Sequence, residues 1–188
     1  MIHIETARLR LRDWKEADLA PFCRMNADEE VMRFMLKPLS TEETTAFYLS
    51  IRAEHHECGY GRYAVEEKES GAWIGFIGFR RVTFEAEFAP CIEIGWRLQQ
   101  SAWGQGYATE GAKACLRHGF GQLGFPEVHS FTATVNLPSQ NVMNKIGLQR
   151  VGLFDHPKVE PGHPLREHVL YRADRDNWLA AFEGGGAR

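Results

Sequence analysis

Glu93 is the first residue in the chain that suggests chemistry, because it is a carboxylate inside an apolar pattern. Apolar residues alternate along residues 91 to 98 with the period of two that is typical of a β-strand. Burial in such a strand is expected to raise the pKa of Glu93 and to make it a candidate general base. Two structural alternatives stay open: a carboxylate on a solvated sheet face, or an ion pair with an arginine such as Arg97.

A glycine turn follows this strand and suggests an anion site. Gly104 and Gly106 precede a run whose apolar residues recur with a helical period. Glycines let a backbone approach a ligand closely, and the first N–H groups of a helix have no intrahelical acceptor. Such a turn suits a pyrophosphate, with a plain tight connection as the alternative. Neither a dinucleotide fingerprint, which needs a glycine where Thr109 stands, nor a Gly-Lys-Ser/Thr phosphate loop fits.

Length and composition limit the class of protein. The chain has 188 residues, 44% of them hydrophobic, and a formal net charge of −3. These values predict one domain over residues 1 to 183, with a disordered tail at 184 to 188, and no nucleic-acid partner. The absence of a signal peptide or an apolar run of about 20 residues predicts no membrane span and a cytoplasmic location. The four cysteines are widely spaced and are interpreted as reduced.

Hydrophobic periodicity predicts the elements that position these residues. Strands are expected at about 2 to 14, 63 to 67, 73 to 82, 91 to 98, 128 to 135, 149 to 154 and 168 to 172. The strand at 73 to 82 is apolar on both faces and belongs in the centre of the sheet. Ser40 and Glu43 form a capping box for a helix that stops at Gly59. His55 and His56 on this helix lack a second ligand pair at metal spacing, so we expect surface histidines and no metal.

Four segments occur in a recognisable order and spacing. They are Glu93-Ile-Gly-Trp-Arg-Leu, then Trp103-Gly-Gln-Gly-Tyr-Ala-Thr-Glu110, then Asn136, Ser139 and Asn141 followed by Lys145-Ile-Gly-Leu, and finally His168-Val-Leu-Tyr171. Together they resemble the GNAT superfamily of N-acetyltransferases. More narrowly, they are similar to its branch of ribosomal-protein N-terminal acetyltransferases (RimJ/RimL-like). The likeness extends from Thr6 to Tyr171.

The resemblance implies an α/β (α+β) fold with a mixed, mostly antiparallel, twisted sheet of about seven strands and helices on both faces. The sheet is expected to splay in a V between its fourth and fifth strands, with the cosubstrate acetyl-CoA in the gap. The residues that the resemblance assigns to acetyl-CoA are Trp96, Arg97 and Leu98 along the pantetheine, Trp103, Gly104, Gln105, Gly106, Tyr107, Ala108 and Thr109 around the pyrophosphate, and Asn136, Ser139 and Asn141 near the thioester and the pantetheine arm.

The same resemblance implies direct transfer of acetyl to a primary amine, on a protein N-terminus or a small molecule, by a monomer or homodimer. The amine must be neutral to attack, and its pKa is about 10.4 for lysine and about 7.7 to 8 for a chain N-terminus. Glu93 is therefore the expected base, directly or through water. Ser139 either protonates the departing thiolate or only caps a helix.

Two departures and two alternatives accompany this interpretation. Ser101 stands where the family usually has Gln or Arg, and Met143 stands where many relatives carry a tyrosine. A non-catalytic acyl-CoA-binding module is the main alternative function, and a phosphate-binding hydrolase is a second one. Selectivity for the acceptor is expected to come from residues 40 to 59 and 155 to 166.

Overall fold

The computed structural model describes residues 1 to 182, so the predicted disordered tail lies outside the described residues. It contains one mixed sheet of eight strands with helices on both sides. The strands are β1 (Ile2–Glu5), β2 (Leu9–Arg12), β3 (Arg62–Glu67), β4 (Trp73–Val82), β5 (Cys91–Leu98), β6 (Glu127–Ala133), β7 (Gln149–Asp155) and β8 (Glu167–Asp174). The helices are α1 (Leu19–Ala27), α2 (Glu29–Met32), α3 (Thr41–Cys58), α4 (Tyr107–Gly121), α5 (Leu137–Lys145) and α6 (Arg175–Phe182), with 3₁₀ turns at Glu16–Asp18 and Gln100–Ala102.

The strands follow the order β1-β2-β3-β4-β5-β6-β8-β7. β5 and β6 pair in parallel at Glu93 opposite His129, whereas β6 with β8 and β8 with β7 pair antiparallel. β4 is the fourth of eight strands, which confirms its predicted central place. The V-shaped splay that the resemblance implies at the β5–β6 step stays a prediction.

The sheet has eight strands where about seven were expected, because the predicted first strand at residues 2 to 14 forms two strands, β1 and β2. β1 and β2 pair antiparallel, and the backbone N–H of Thr6 donates to the carbonyl of Leu9 at 3.0 Å to close the turn between them. Alternation of apolar and polar residues continues through this turn, so the periodicity alone does not show the chain reversal. Helix α6 was also not predicted.

The chain divides into two compact units, the first formed by Met1–Arg80 and Gly95–Ala114. In this unit, Phe22 of α1 and Ile51 of α3 share a buried cluster with Phe76 of β4. A Cβ placed on Gly111 of α4 would lie 2.5 Å from Ile77, so α4 packs closely on that residue. Phe76 and Ile77 are adjacent in a strand and point to opposite faces, which puts α1 and α3 on one face and α4 on the other.

The second unit contains Arg81–Ile94 and the described chain from Cys115 onward. Its sheet is formed by β6, β8 and β7, and Val82, Phe131 and Leu170 form a buried cluster there. α6 is held by Trp178, whose indole N–H donates to the carbonyl of Ile146 at 2.7 Å. This bond ties the C-terminal helix to the end of α5.

The helix ends follow local capping rules that the sequence already showed. The Ser40 side chain accepts from the N–H of Glu43, the Glu43 carboxylate accepts from the N–H of Ser40, and Gly59 adopts φ 74°. This confirms the predicted capping box and glycine stop of α3. The four cysteines are free thiols, and burial raises the pKa of Cys115.

Candidate active site

The turn before α4 presents a row of backbone donors. Gly104 and Gly106 have φ of 73° and 82°, a region that favours glycine, and they turn the chain into the helix. The N–H groups of residues 105 to 109 have no hydrogen-bond acceptor within the described chain, whereas the N–H of Glu110 donates to the carbonyl of Gly106. Five successive N–H groups at the start of a 15-residue helix form a site suited to a diphosphate.

The space around this turn agrees with that role. A Cβ added to Gly104 would meet no atom within 4 Å, and one added to Gly106 would meet only the Arg8 guanidinium, at 3.5 Å. Glycine is therefore required here by the backbone angle, and no protein atom crowds the turn. Gln105 is exposed, and its side-chain amide donates to the carbonyl of Ser101 at 2.9 Å.

Arg8, in the turn between β1 and β2, holds the glycine turn before α4, a role that the sequence did not reveal. Its guanidinium donates to the carbonyl of Gln105 at 2.9 Å and pairs with the Glu110 carboxylate at 2.6 Å. The Thr6 hydroxyl donates to the same carboxylate at 2.6 Å. Burial alone would raise the pKa of Glu110, but hydrogen bonds from Thr6 and Arg8 outweigh it and lower the pKa. Glu110 therefore links the first turn of α4 to the turn between β1 and β2.

Two aromatic residues flank the turn. Trp103 is 38% exposed, and its indole N–H donates to the carbonyl of Leu98 at 2.9 Å. Tyr107 is buried beneath the Arg8 guanidinium, 4.6 Å from the ring centre, and its hydroxyl donates to Glu67. The side chain of Tyr107 therefore anchors the first turn of α4, while its N–H belongs to the row of donors.

Glu93 is buried, with a relative exposure of 7%. Burial rules out the solvated-face alternative. Arg97, the arginine named as an example of an ion-pair partner, donates instead to the Asn26 amide oxygen at 2.7 Å and to the Met35 sulfur at 3.3 Å. The pairing register places Glu93 opposite His129, so the two side chains lie on the same face of the sheet.

His129 was not predicted, and it shapes the surroundings of Glu93. It is 4% exposed, and its Nδ1 has no hydrogen-bond partner within the described residues. Burial lowers the pKa of His129, which keeps the imidazole neutral near pH 7. The neutral ring at this register position adds apolar surface to the sheet face that carries Glu93. On the neighbouring register position, the Ser130 hydroxyl donates to the carbonyl of Ile94 at 2.9 Å.

Asn136 and Ser139 form a hydrogen-bonded pair at the start of α5. Asn136 is the helix cap: its side-chain oxygen accepts from the N–H of Ser139, and its amide donates to the hydroxyls of Ser139 at 3.1 Å and Thr132 at 2.8 Å. Ser139 is therefore not the cap. Its oxygen accepts from Asn136, and its own proton has no acceptor among the residues that the structure describes. The Ser139 hydroxyl can therefore donate its proton to a ligand.

Two other residues of this segment, Met143 and Asn141, differ in their solvent exposure. Met143, where many relatives carry tyrosine, is 2% exposed and belongs to the core. Met143 is therefore not available to a ligand. Ser139 is the residue of this segment that offers a hydroxyl in place of that tyrosine. Asn141 is exposed, which is compatible with its expected contact to the pantetheine arm.

The histidines of α3 differ from the surface pair that we expected. His56 is exposed, but His55 is partly buried, 3.8 Å from the Asp13 carboxylate. His3 also binds Asp13, at 2.6 Å, so three possible ligand atoms lie within 4.8 Å of one another. The sequence did not reveal this group because its three members are far apart along the chain. The expectation that the protein uses no metal stays a prediction.

A comparison of the sequence with models of known protein families identifies the family of this chain. Residues 8 to 149 match the acetyltransferase (GNAT) domain, a span that covers most of the chain and all of the donor turn. The chain belongs to the GNAT acetyltransferase family.

Individual relatives agree with this GNAT assignment. An uncharacterised N-acetyltransferase, YnaD of Bacillus subtilis, is 30% identical over 178 residues, which are 94% of this chain and 99% of that protein. The FsC-acetyl coenzyme A-N(2)-transacetylase of Aspergillus fumigatus is 29% identical over 198 residues, covering 94% of this chain and 77% of that protein. The protein is thus an acetyl-CoA-dependent acyltransferase with N-acetyltransferase activity.

Solved structures show the same fold at lower identity. A GNAT acetyltransferase from Bacillus anthracis has a TM-score of 0.77 at 23% identity and covers 94% of this chain and 99% of its own. Mycobacterium smegmatis RimJ, in complex with CoA-disulfide, has a TM-score of 0.70 at 20% identity and covers 92% and 88%. At these identities the likeness establishes the fold. Within the described residues, no helix is long and apolar enough to cross a membrane.

Proposed function

We propose that this GNAT enzyme transfers acetyl directly from acetyl-CoA to a primary amine, on a peptide N-terminus or a small molecule, without a covalent enzyme intermediate. The observation that carries the proposal is the run of five N–H groups at residues 105 to 109 without protein acceptors. Bound acetyl-CoA supplies an activated acetyl thioester. The order of the four sequence segments supports a place in the RimJ/RimL-like branch. The proposal requires no metal ion and no nucleic acid.

Each proposed residue has one task in the transfer. The donors at residues 105 to 109 hold the pyrophosphate, and the backbone of Trp96 to Leu98 pairs with the pantetheine. Glu93, directly or through water, takes the proton that the amine nitrogen loses as it bonds to the acetyl carbon. Ser139 donates its proton to the sulfur as the carbon–sulfur bond breaks. Solvent then restores the protonation states of both residues.

The proposal is tested by measuring free thiol released from acetyl-CoA with a panel of amines. The panel contains N-terminal peptides, polyamines, amino sugars and amino acids, and coenzyme A binding is measured in parallel by calorimetry. We expect binding of coenzyme A and thiol release above the uncatalysed rate with at least one class. Binding without release from any amine would favour the non-catalytic acyl-CoA-binding module, and absence of binding would favour the hydrolase.

Ser139→Ala is expected to lower kcat about tenfold to 100-fold, because the departing sulfur loses its proton donor. The dissociation constant of coenzyme A should change less than threefold, since the Asn136 side-chain oxygen still accepts from the backbone N–H of residue 139. Steady-state kinetics and calorimetry measure the two quantities. Ser50→Ala, which removes a surface hydroxyl bonded to the carbonyl of Phe47, is the matched control. An unchanged kcat would leave Ser139 with a structural role only.

Arg8→Gln is expected to weaken coenzyme A binding about threefold to tenfold, corresponding to about 1 kcal/mol. The variant loses the bonds that fix the Gln105 carbonyl and Glu110, so the donor row is less well ordered. Arg10→Gln is a control two residues away, since Arg10 pairs with Glu66 and Glu5 instead. Equal dissociation constants for the two variants would contradict the positioning role of Arg8.

A further inference from the structure

Arg97 on β5 is a partly buried cation with a specific environment. Its Nη1 donates to the Asn26 amide oxygen at 2.7 Å, and its Nη2 lies 3.3 Å from the Met35 sulfur. The rings of Phe47 and Phe76 lie 6.0 and 5.5 Å from the guanidinium carbon. The surroundings of this charge are therefore an amide, a thioether and two aromatic faces.

No carboxylate pairs with Arg97 anywhere in residues 1 to 182. Burial, together with the nearby charge of Arg62, lowers the pKa of Arg97 to about 10, so the side chain stays charged at neutral pH. A buried charge without a counterion is costly, and proteins ordinarily pair such a group or neutralise it. The other arginines in this unit illustrate the rule: Arg12 is bound to Asp18 and Arg62 to Glu54.

The geometry leaves one side of the guanidinium ready for a ligand. Asn26 is fully buried and its amide donates to the Thr44 hydroxyl at 3.4 Å, which fixes the oxygen that receives Nη1. Nη2 faces Met35, which is 39% exposed and whose thioether is only a weak acceptor. An incoming anion can displace this sulfur and gain a charge-assisted, bidentate contact.

The contacts of Arg97 also indicate which substrate supplies the anion. They come from α1, Met35, α3 and β4, and none comes from the donor row at residues 105 to 109, where the coenzyme phosphates are expected. Phe47 belongs to the α3 segment in which selectivity for the acceptor is expected. The anion therefore belongs to the acceptor rather than to the coenzyme.

We propose that Arg97 binds a carboxylate of the acceptor, so that the preferred substrates are amines that also carry a carboxylate. This inference rests on the proposed amine transfer and makes its acceptor class specific. Carboxylates of free amino acids and of acidic peptides share this chemistry. Asn26 positions the guanidinium, and the exposed side at Met35 admits the ligand.

The test compares matched acceptors on the wild-type enzyme and on Arg97→Met and Arg97→Lys. Each acceptor is supplied as the carboxylate and as its carboxamide: α-amino acids, ω-amino acids of increasing length, and short peptides with a free or an amidated acidic group. We expect the wild type to prefer the carboxylate member. In Arg97→Met, kcat/KM for carboxylates should fall on the order of 10- to 100-fold, mainly through KM. The carboxamides should lose much less, because only backbone atoms of Arg97 are proposed to pair with pantetheine. Arg97→Lys should restore part of the loss.

A stability measurement separates binding from structure. Removing an unpaired buried charge is expected to leave the melting temperature of Arg97→Met equal to or above that of the wild type. Arg52→Gln, which alters an exposed arginine on α3, should change neither kinetics nor stability. The inference is overturned if carboxylate and carboxamide acceptors lose activity equally, or if the KM of acetyl-CoA alone rises.

The outcome also distinguishes this inference from the proposed function. Turnover of amines with no preference for a carboxylate contradicts the role of Arg97 and leaves amine acetylation intact. If no amine is turned over, the proposed function fails, and calorimetry of the same acceptor pairs with the coenzyme A complex still tests the site. Equal affinity for both members of a pair would then reject it.

Discussion

Replacing Glu93 with glutamine is expected to lower kcat about 10²- to 10⁴-fold, the usual contribution of a general base. Glutamine has nearly the same shape, so the buried position of Glu93 is preserved while the proton acceptor is lost. Coenzyme A should bind with unchanged affinity. Steady-state thiol release and calorimetry on the same preparation measure both quantities.

The pH profile of this variant provides a sharper test of the base. Above the pKa of the acceptor amine, about 7.7 to 8 for a chain N-terminus, the neutral amine is abundant without help. The deficit of Glu93→Gln should therefore shrink in part as pH rises past that value. Glu127→Gln, an exposed carboxylate on β6, is the control and should retain wild-type kcat. A kcat for Glu93→Gln within threefold of the wild-type value would contradict the proposal that Glu93 is the general base.

Gly75→Ala is expected to destabilise the protein by about 2 to 5 kcal/mol, the combined scale of backbone strain and overpacking. Gly75 has φ 144°, and a Cβ there would lie 2.2 Å from the carbonyl oxygen of Arg97 and 2.8 Å from the Cα of Leu98. Both neighbours are backbone atoms, so β5 itself must move. The free energy of unfolding in urea measures the loss.

The same substitution should also weaken coenzyme A binding, because the displaced backbone at Arg97 and Leu98 is proposed to pair with pantetheine. Gly95→Ala on β5 is the matched control: a Cβ there meets no atom within 4 Å, and its φ lies outside the glycine region. We expect its unfolding free energy to change by less than about 1 kcal/mol. Similar losses for both variants would show that the close approach at Gly75 is not the cause.

Local patterns account for the elements that were predicted well. The strands β4 and β5 have the predicted bounds, because alternation and apolar runs report which strand faces are buried. The caps of α3 and the glycine turn before α4 were also predicted, since these signals depend on neighbours three to five residues away. The reversal between β1 and β2 was missed, because its alternating pattern is uninterrupted.

The candidate functional residues also divide into those that the sequence indicated and those that only the structure revealed. Glu93 and the turn at residues 104 to 109 stand out in the sequence because an unusual residue type interrupts a local pattern, whereas Ser139 was indicated by the family resemblance. The structure excludes the alternative that Ser139 is the helix cap, because Asn136 has that role. His129 lies 36 positions from Glu93, and strand pairing alone brings the two into register.

The sequence by itself determined the family, the strand that carries Glu93 and the glycine turn that suits a pyrophosphate, because these depend on short-range order. Only the tertiary structure showed which groups Arg8 and Arg97 contact. Arg8 reaches Glu110 across 102 positions, and Arg97 reaches Asn26 across 71. Contacts at such separations depend on how strands and helices pack, and no local periodicity encodes them. For that reason the proposed carboxylate site at Arg97 emerged from the fold.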